Sequence, residues 1–389
     1  EGEPQPTARE REMLRQWILQ GARLSASIAR PQVPKIAVQK RATTLLSSVK
    51  VSDTDVCLGG INRIVRVNTT TGGQSWEATG EYGKITRLTV SADGQWIVAA
   101  CGTPGVDGQA LILQANDGEV IRTLAGHSDA IYAVALDSDG KRLATAGYDR
   151  QILIHDVETQ QIVKTMSGHN GSVFDLSFDP AGQVLCSASA DSTIKVWDVA
   201  TGQRLDTLSQ PQSEQYCVAV TPDNCSIVAA GADNRIRVWS LVSLKKSAIN
   251  PLRSSTFAHE QTITSLALSG DGTRLATAAE DGTLRVWSMH PFTQLTSLPQ
   301  QGSLVTSLVF LNNRQLLATR LDGSWKLFTL PDSAPPSSSG SQQKVMAVLV
   351  DLKQNTNEVA EAEGNDTAEE AQQVSLPVRV TGTIDQSNE

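Results

Sequence analysis

An aspartate that returns at a near-fixed interval constrains this chain more than any other feature. Asp107, Asp149, Asp191, Asp233, Asp281 and Asp322 follow one another at 42, 42, 42, 48 and 41 residues, and Asn62 stands 45 residues ahead of the first. A period in this range marks repeat architectures, in which one unit cannot cover its own apolar faces and must stack on the next. Six residues after three of these aspartates comes a tryptophan (Trp197, Trp239, Trp287), and Leu113, His155 and Phe328 hold the same place in other copies. Within a copy, short apolar runs alternate with polar turns, as in VFDLSFD (173–179), VLCSASA (184–190), IKVWDV (194–199) and RLDTLS (204–209). Short β-branched runs bounded by Asp-Gly or Asp-Asn read as strands and hairpins. Four strands per copy and seven copies over about residues 41–330 predict an antiparallel all-β array, most stable when its two ends meet.

The residues at these turns carry a resemblance. Gly126-His127 and Gly168-His169, Trp197-Asp198, and the hairpin turns SADG (91–94), DSDG (137–140) and SGDG (269–272) resemble the WD-repeat family. That resemblance implies a seven-bladed β-propeller of four-stranded antiparallel blades. It also implies a hydrogen-bonded tetrad of His, Ser or Thr, Asp and Trp in each well-formed blade. Carried over, the tetrads are His169, Ser187, Asp191 and Trp197, then His259, Thr277, Asp281 and Trp287, while a third copy has His127, Thr145 and Asp149 but His155 where the Trp stands. The other copies are degenerate. The run GSWKLFTL (323–330) is followed by a loop-like stretch, so the last blade lacks an outer strand. VPKIAVQ (33–39) is the preferred segment to supply it, with KVMAVLV (344–350) second.

The expected layout is 1–32 as an N-terminal helix and linker, 33–330 as the propeller, 331–343 as a Pro/Ser/Gly linker, and 344–389 as an acidic tail opening a partial β extension. Residues 7–22 have a helical pattern, with Thr7 as N-cap and Gly21 as stop. W-I-x-x-G-A at 17–22 resembles the end of a planctomycete-type cytochrome c domain. Asn365-Asp366-Thr367, Ala371-Gln372, Leu376-Pro377 and Gly382 resemble the opening of a bacterial pre-peptidase C-terminal domain. Together these flanks imply a module of a larger bacterial envelope protein, periplasmic or extracellular, with a cytoplasmic location as the alternative.

Composition narrows the chemistry. The net charge of −8 falls mostly in residues 351–389, which hold nine Asp/Glu against two Lys/Arg. A nearly neutral body offers no basic surface for phosphates, so nucleic acid is not an expected partner. No apolar run is long enough to span a bilayer. Cys57, Cys101, Cys186, Cys217 and Cys225 lack metal-binding spacing, and four of them sit in apolar runs as small hydrophobes. No metal or cofactor site is expected.

Of five histidines, three fall at tetrad positions and His155 at the Trp position, leaving His290 in a turn. Ser187, His169 and Asp191 contain the groups of a hydrolase triad, but the trio recurs with the repeat, which points to scaffolding. No phosphate loop, nucleophile elbow or H-E-x-x-H helix occurs. Binding is better supported. Tyr132, Phe174 and Tyr216 recur 42 residues apart in the first strand of successive copies, a place the resemblance puts at the mouth of a central channel. Tyr148 precedes a turn aspartate on the same face, and Arg150 and Arg235 occupy neighbouring turns where they can read carboxylates. The expected function is a non-catalytic, monomeric scaffold that presents this face to a protein or peptide. The alternative is a connecting module of an enzyme or c-type cytochrome whose active part lies elsewhere.

Overall fold

A computed structural model describes residues 7–19, 44–298 and 301–331. The chain divides into two compact units, Glu1–Val345 and Met346–Glu389, and the second lies wholly outside the described residues. So do the expected partial β extension and both candidate closing segments, 33–39 and 344–350.

One helix, α1 (Ala8–Leu19), begins as the capping pattern requires. The Glu10 N–H donates to Thr7 Oγ1 at 3.3 Å, and Glu10 Oε2 accepts the Thr7 N–H at 2.7 Å. None of its residues is buried.

The remaining described elements are strands. The first group is β1 (Leu45–Lys50), β2 (Asp55–Asn68) and β3 (Gln74–Lys84), and the second is β4 (Arg87–Val90), β5 (Trp96–Thr103), β6 (Asp107–Gln114) and β7 (Val120–His127). Four groups of four follow in sequence order. They are β8 (Ile131–Leu136), β9 (Arg142–Gly147), β10 (Ile152–Asp156) and β11 (Ile162–Met166); then β12 (Val173–Phe178), β13 (Val184–Ser189), β14 (Ile194–Asp198) and β15 (Arg204–Leu208). Next come β16 (Gln215–Val220), β17 (Ser226–Gly231), β18 (Arg235–Ser240) and β19 (Leu252–Phe257), then β20 (Ile263–Leu268), β21 (Arg274–Ala279), β22 (Leu284–Met289) and β23 (Phe292–Leu298). The last described group has three strands, β24 (Val305–Asn312), β25 (Gln315–Arg320) and β26 (Trp325–Thr329).

Within each group neighbouring strands pair antiparallel in chain order, as the hairpin pattern predicted. Two local departures occur. β2 is one long element whose start pairs with β1 and whose end pairs with β3. Asn62 takes a φ of 56° at its middle, and the Thr69 N–H reaches Thr54 O at 2.7 Å, so β2 folds back at the turn read from Asn62. The first two groups are also joined by one parallel bridge between Gly83 and Gly102. A Cβ on Gly83 would lie 2.5 Å from Gly102 O, so the approach requires glycine.

The core lies between groups rather than within them. Val184, Val196 and Leu208 pack on Val218, Ile227 and Trp239 of the next group, for example. The same pattern joins every consecutive pair. A further cluster packs Leu45, Val56, Leu58 and Val65 of the first group on Leu311 and Leu317 of the last.

Polar bonds between innermost strands repeat in the same way. Thr86 Oγ1 lies 2.7 Å from Ile131 O, Thr264 Oγ1 3.3 Å from Val305 O, and Thr306 Oγ1 2.8 Å from Leu45 O. One residue along, Asp175 accepts the Val218 N–H at 3.0 Å, Ser265 the Leu308 N–H at 3.1 Å, and Ser307 the Ser48 N–H at 3.2 Å.

Candidate interaction face

The turn aspartates organise one face. Asp191 Oδ1 accepts from Thr193 N–H and Oγ1 in its own turn, at 3.0 and 2.6 Å, while Oδ2 accepts from His169 Nδ1 at 2.8 Å and Asn170 N–H at 3.0 Å. One carboxylate thus ties a hairpin turn to the loop that enters the same group. His169 Nε2 then accepts from Ser187 Oγ at 2.7 Å, and Ser187 accepts the Trp197 indole N–H at 2.9 Å. Burial works to raise the Asp191 carboxyl, but the bonds from His169 and Thr193 win and hold it far below the usual range. Ser187 is completely buried and both its lone-pair and proton roles are taken, so the Ser187–His169–Asp191 trio is a structural relay.

Two variants of the tetrad appear. In the first, His127 Nδ1 lies 2.9 Å from Asp149 Oδ2, Nε2 lies 2.8 Å from Thr145 Oγ1, and His155 Nε2 lies 3.1 Å from the same hydroxyl. Asp149 takes the Nδ1 proton of His127, so Thr145 donates to His127 Nε2 and must accept from His155. His155 therefore carries its proton on Nε2 and replaces the indole donor, and its buried Nδ1 meets no partner among the described residues.

In the second, Thr277 accepts the Trp287 N–H at 3.0 Å and bonds His259 Nε2 at 2.8 Å, but His259 Nδ1 meets Thr283 Oγ1 at 2.9 Å and is 3.4 Å from Asp281 Oδ2. The expected His259–Asp281 contact is thus kept at the longer distance of 3.4 Å and supplemented by Thr283, which donates to Asp281 at 2.7 Å. The neighbouring residue supplies a reason. Gly126 and Gly168 precede their histidines with φ of 152° and 151°, a region essentially closed to side chains, whereas Ala258 is not among the positive-φ residues. The degenerate group is also accounted for: Ala229 replaces the hydroxyl, and Trp239 donates to Gln210 Oε1 at 3.1 Å instead.

These relays carry a pH dependence. Burial pushes His155 down to about 4, since a proton on it would also repel any proton shared with His127, and burial likewise pushes His259 to about 4 against the pull of Asp281. Each is neutral when folded and takes up a proton on unfolding once the pH is below 6.5. Their stabilising effect is complete above that value and is lost as pH falls toward 4, on the order of 3 kcal/mol each. Urea midpoints should fall across this window, and His155→Gln, which keeps a neutral donor to Thr145, should flatten the slope. An unchanged slope would remove His155 from the account.

The aromatic residues meet as the 42-residue spacing implied. The Tyr132 and Phe174 centroids are 5.5 Å apart, and those of Phe174 and Tyr216 are 5.0 Å apart. They form one wall of a cavity of about 380 Å³, reached also by Leu46, Thr86, Thr264 and Thr306 at the same place in other innermost strands. The threonine half of this wall was missed in the sequence, where only Thr264 and Thr306 keep the 42-residue spacing of the rings. Burial and the neighbouring Glu214 push the Tyr216 phenol up to about 12, and its hydroxyl donates to Glu214 at 2.5 Å.

Lys84 and Glu280 also border the cavity. Arg87 does too, but pairs with the buried Asp175 at 2.7 Å. Tyr148, Arg150 and Arg235 are not in this wall. Tyr148 is 57% exposed, Arg150 is exposed in a left-handed turn, and Arg235 is half-buried with its guanidinium 3.4 Å from Ser255 O. Among the described residues no group of three or more His, Cys, Asp or Glu side chains is placed to hold a metal ion.

The repeated sheets and hydrogen-bonded tetrads make this a β-repeat chain, and four of its segments are similar to WD repeats. Residues 118–156, 160–198, 202–240 and 251–288 match the family described as WD domain, G-beta repeat. A stretch of 101 residues is 31% identical to the small ribosomal subunit protein RACK1 of Schizosaccharomyces pombe, covering 26% of this chain and 29% of that protein. The chain therefore spans less than a third of that relative's length. These repeats support a WD-repeat β-propeller and a protein-interaction scaffold. Each of the second and third matches opens on the outer strand of one group and ends on the third strand of the next.

Proposed function

We propose that the strand groups are seven blades of a closed propeller. Its tetrad-bearing face grips a protein or peptide segment, with Tyr132, Phe174 and Tyr216 as anchors at the channel mouth. Closure is supported by the bonds Thr306 to Leu45 and Ser48 to Ser307, which repeat the chemistry between other neighbours. Because each repeat lends its first strand to the preceding blade, 33–39 is the segment proposed to complete the β24–β26 group.

The observation that carries the binding reading is the aromatic wall. Three rings in one sector, in a chain with 4% aromatics, line a concave mouth where a partner's side chain loses water on all sides. Tyr148, Arg150 and Arg235 belong to the surrounding rim as polar and aromatic contacts. The flanking resemblances support placing this scaffold, as a monomeric module, in a larger bacterial envelope protein, periplasmic or extracellular. Photo-crosslinking from position 132 in the full chain should trap a partner that Tyr132→Ala/Tyr216→Ala fails to capture. Equal capture by the double variant would move the site off the channel mouth.

A further inference from the structure

One repeat interval is 48 residues rather than 42, and the six extra residues all fall in one connection. Residues 157–161 and 199–203 join the third and outer strands of two groups, whereas 241–251 join β18 to β19. The insertion is held firmly. Asn250 is buried, and its Oδ1 accepts the Val242 and Ser243 N–H groups at 2.7 and 3.1 Å. Its own N–H and Nδ2 both donate to Asp206 Oδ2 at 2.8 Å, across in the β12–β15 group. Ser247 Oγ donates to Leu205 O at 2.7 Å, and Leu244 packs on the cluster containing Leu205 and Leu241.

What this frame displays is unusual. Ile249 is 83% exposed and Val242 49%, with Lys245 and Lys246 exposed between them. Residues 241–257 carry Lys245, Lys246 and Arg253 and no carboxylate. Asp206, the carboxylate the loop touches, is occupied by Asn250. Neither lysine forms an ion pair among the described residues. Ordering a loop costs conformational entropy, and here the ordering buries its polar anchors and packs Leu241 and Leu244 on the core while leaving Val242 and Ile249 in water.

We propose that this loop is a docking platform for an acidic, apolar segment of a partner protein. The partner's carboxylates pair with Lys245 and Lys246, and its aliphatic or aromatic side chains cover Val242 and Ile249. The charge selects acid, and a preordered loop lowers the entropic cost of binding. Two aliphatic side chains bury too little apolar area to hold a protein at a bilayer, which favours a polypeptide over a lipid surface.

The test selects random dodecapeptides displayed on phage against the full chain, with K245E/K246E as counter-selector. Recovered peptides should interleave Asp or Glu with Leu, Ile or Phe. A synthetic consensus peptide should bind K245E/K246E and I249D at least roughly tenfold more weakly than the wild type, at unchanged thermal midpoints. Tyr132→Ala/Tyr216→Ala should bind it normally, which separates this site from the channel mouth. Peptides without an acidic bias, or equal binding by the loop variants, would overturn the proposal. So would binding to phosphatidylserine vesicles that depends on Lys245 and Lys246 when no peptide competes.

Discussion

Trp197→Ala is expected to lower the unfolding free energy by about 3–5 kcal/mol, the range for removing a large aromatic from a packed core. The ring is 2% exposed and packs in one cluster with Val173, Leu185 and Val199, so neighbours cannot collapse into its space without moving two strand groups. Its N–H also terminates the relay through Ser187, His169 and Asp191. Trp197→Phe separates the two effects: most of the ring volume stays, and the lost bond should cost about 1 kcal/mol. Tyr148→Ala is the control, since its ring stands mostly in water and its loss should change stability by no more than about 0.5 kcal/mol. Urea unfolding followed by circular dichroism reads all three. Equal, large losses from Trp197→Ala and Tyr148→Ala would make Tyr148 a core residue and remove it from the interaction face.

The strand order was legible because a period of about 42 residues and a period of two both leave marks in the chain. Asn62 illustrates how far this reaches. A weak copy of the turn aspartate correctly located a reversal inside what is, by hydrogen bonding, one fourteen-residue element. The spacing of His169, Ser187 and Asp191, and of His127, Thr145 and Asp149, was legible for the same reason, whereas the donor role of His155 was visible only in the bonds it makes.

What escaped was set by geometry between copies. Nothing at Thr86, Thr264 or Thr306 marks them as partners of Tyr132, because a hydroxyl and a ring share no pattern beyond position. Thr283 joins His259 and Asp281 where Ala258 stands in place of a glycine of φ near 150°, a difference of φ rather than of any motif. The inserted loop was visible as a spacing of 48, but its rigidity depends on Asn250 meeting Asp206 in another group.

Arg87→Met is expected to cost about 3–5 kcal/mol, as much as the tryptophan, although Arg87 lies at the edge of a cavity. Its guanidinium crosses from β4 to Asp175 on β12, past the intervening β8 group, and Asp175 is 2% exposed. Burial already pushes the Asp175 carboxyl up, against Arg87 and the N–H groups of Val218 and Leu176. Without Arg87 the carboxylate is left with backbone donors alone, and its pKa must climb further. The sign then follows. A carboxyl raised in the folded state is stabilising when protonated, so the variant's deficit should shrink as pH falls toward the free carboxyl value of 3.8 and grow as pH rises. Adding Asp175→Asn removes the charge, and the double variant should be less destabilised than the sum of the singles by about 2 kcal/mol. An additive cycle would mean that Arg87 is not committed to Asp175. A free guanidinium would then stand beside Lys84 at the mouth, the cavity would favour anions over apolar side chains, and the anchoring role assigned to Tyr132, Phe174 and Tyr216 would have to be rebuilt around that charge.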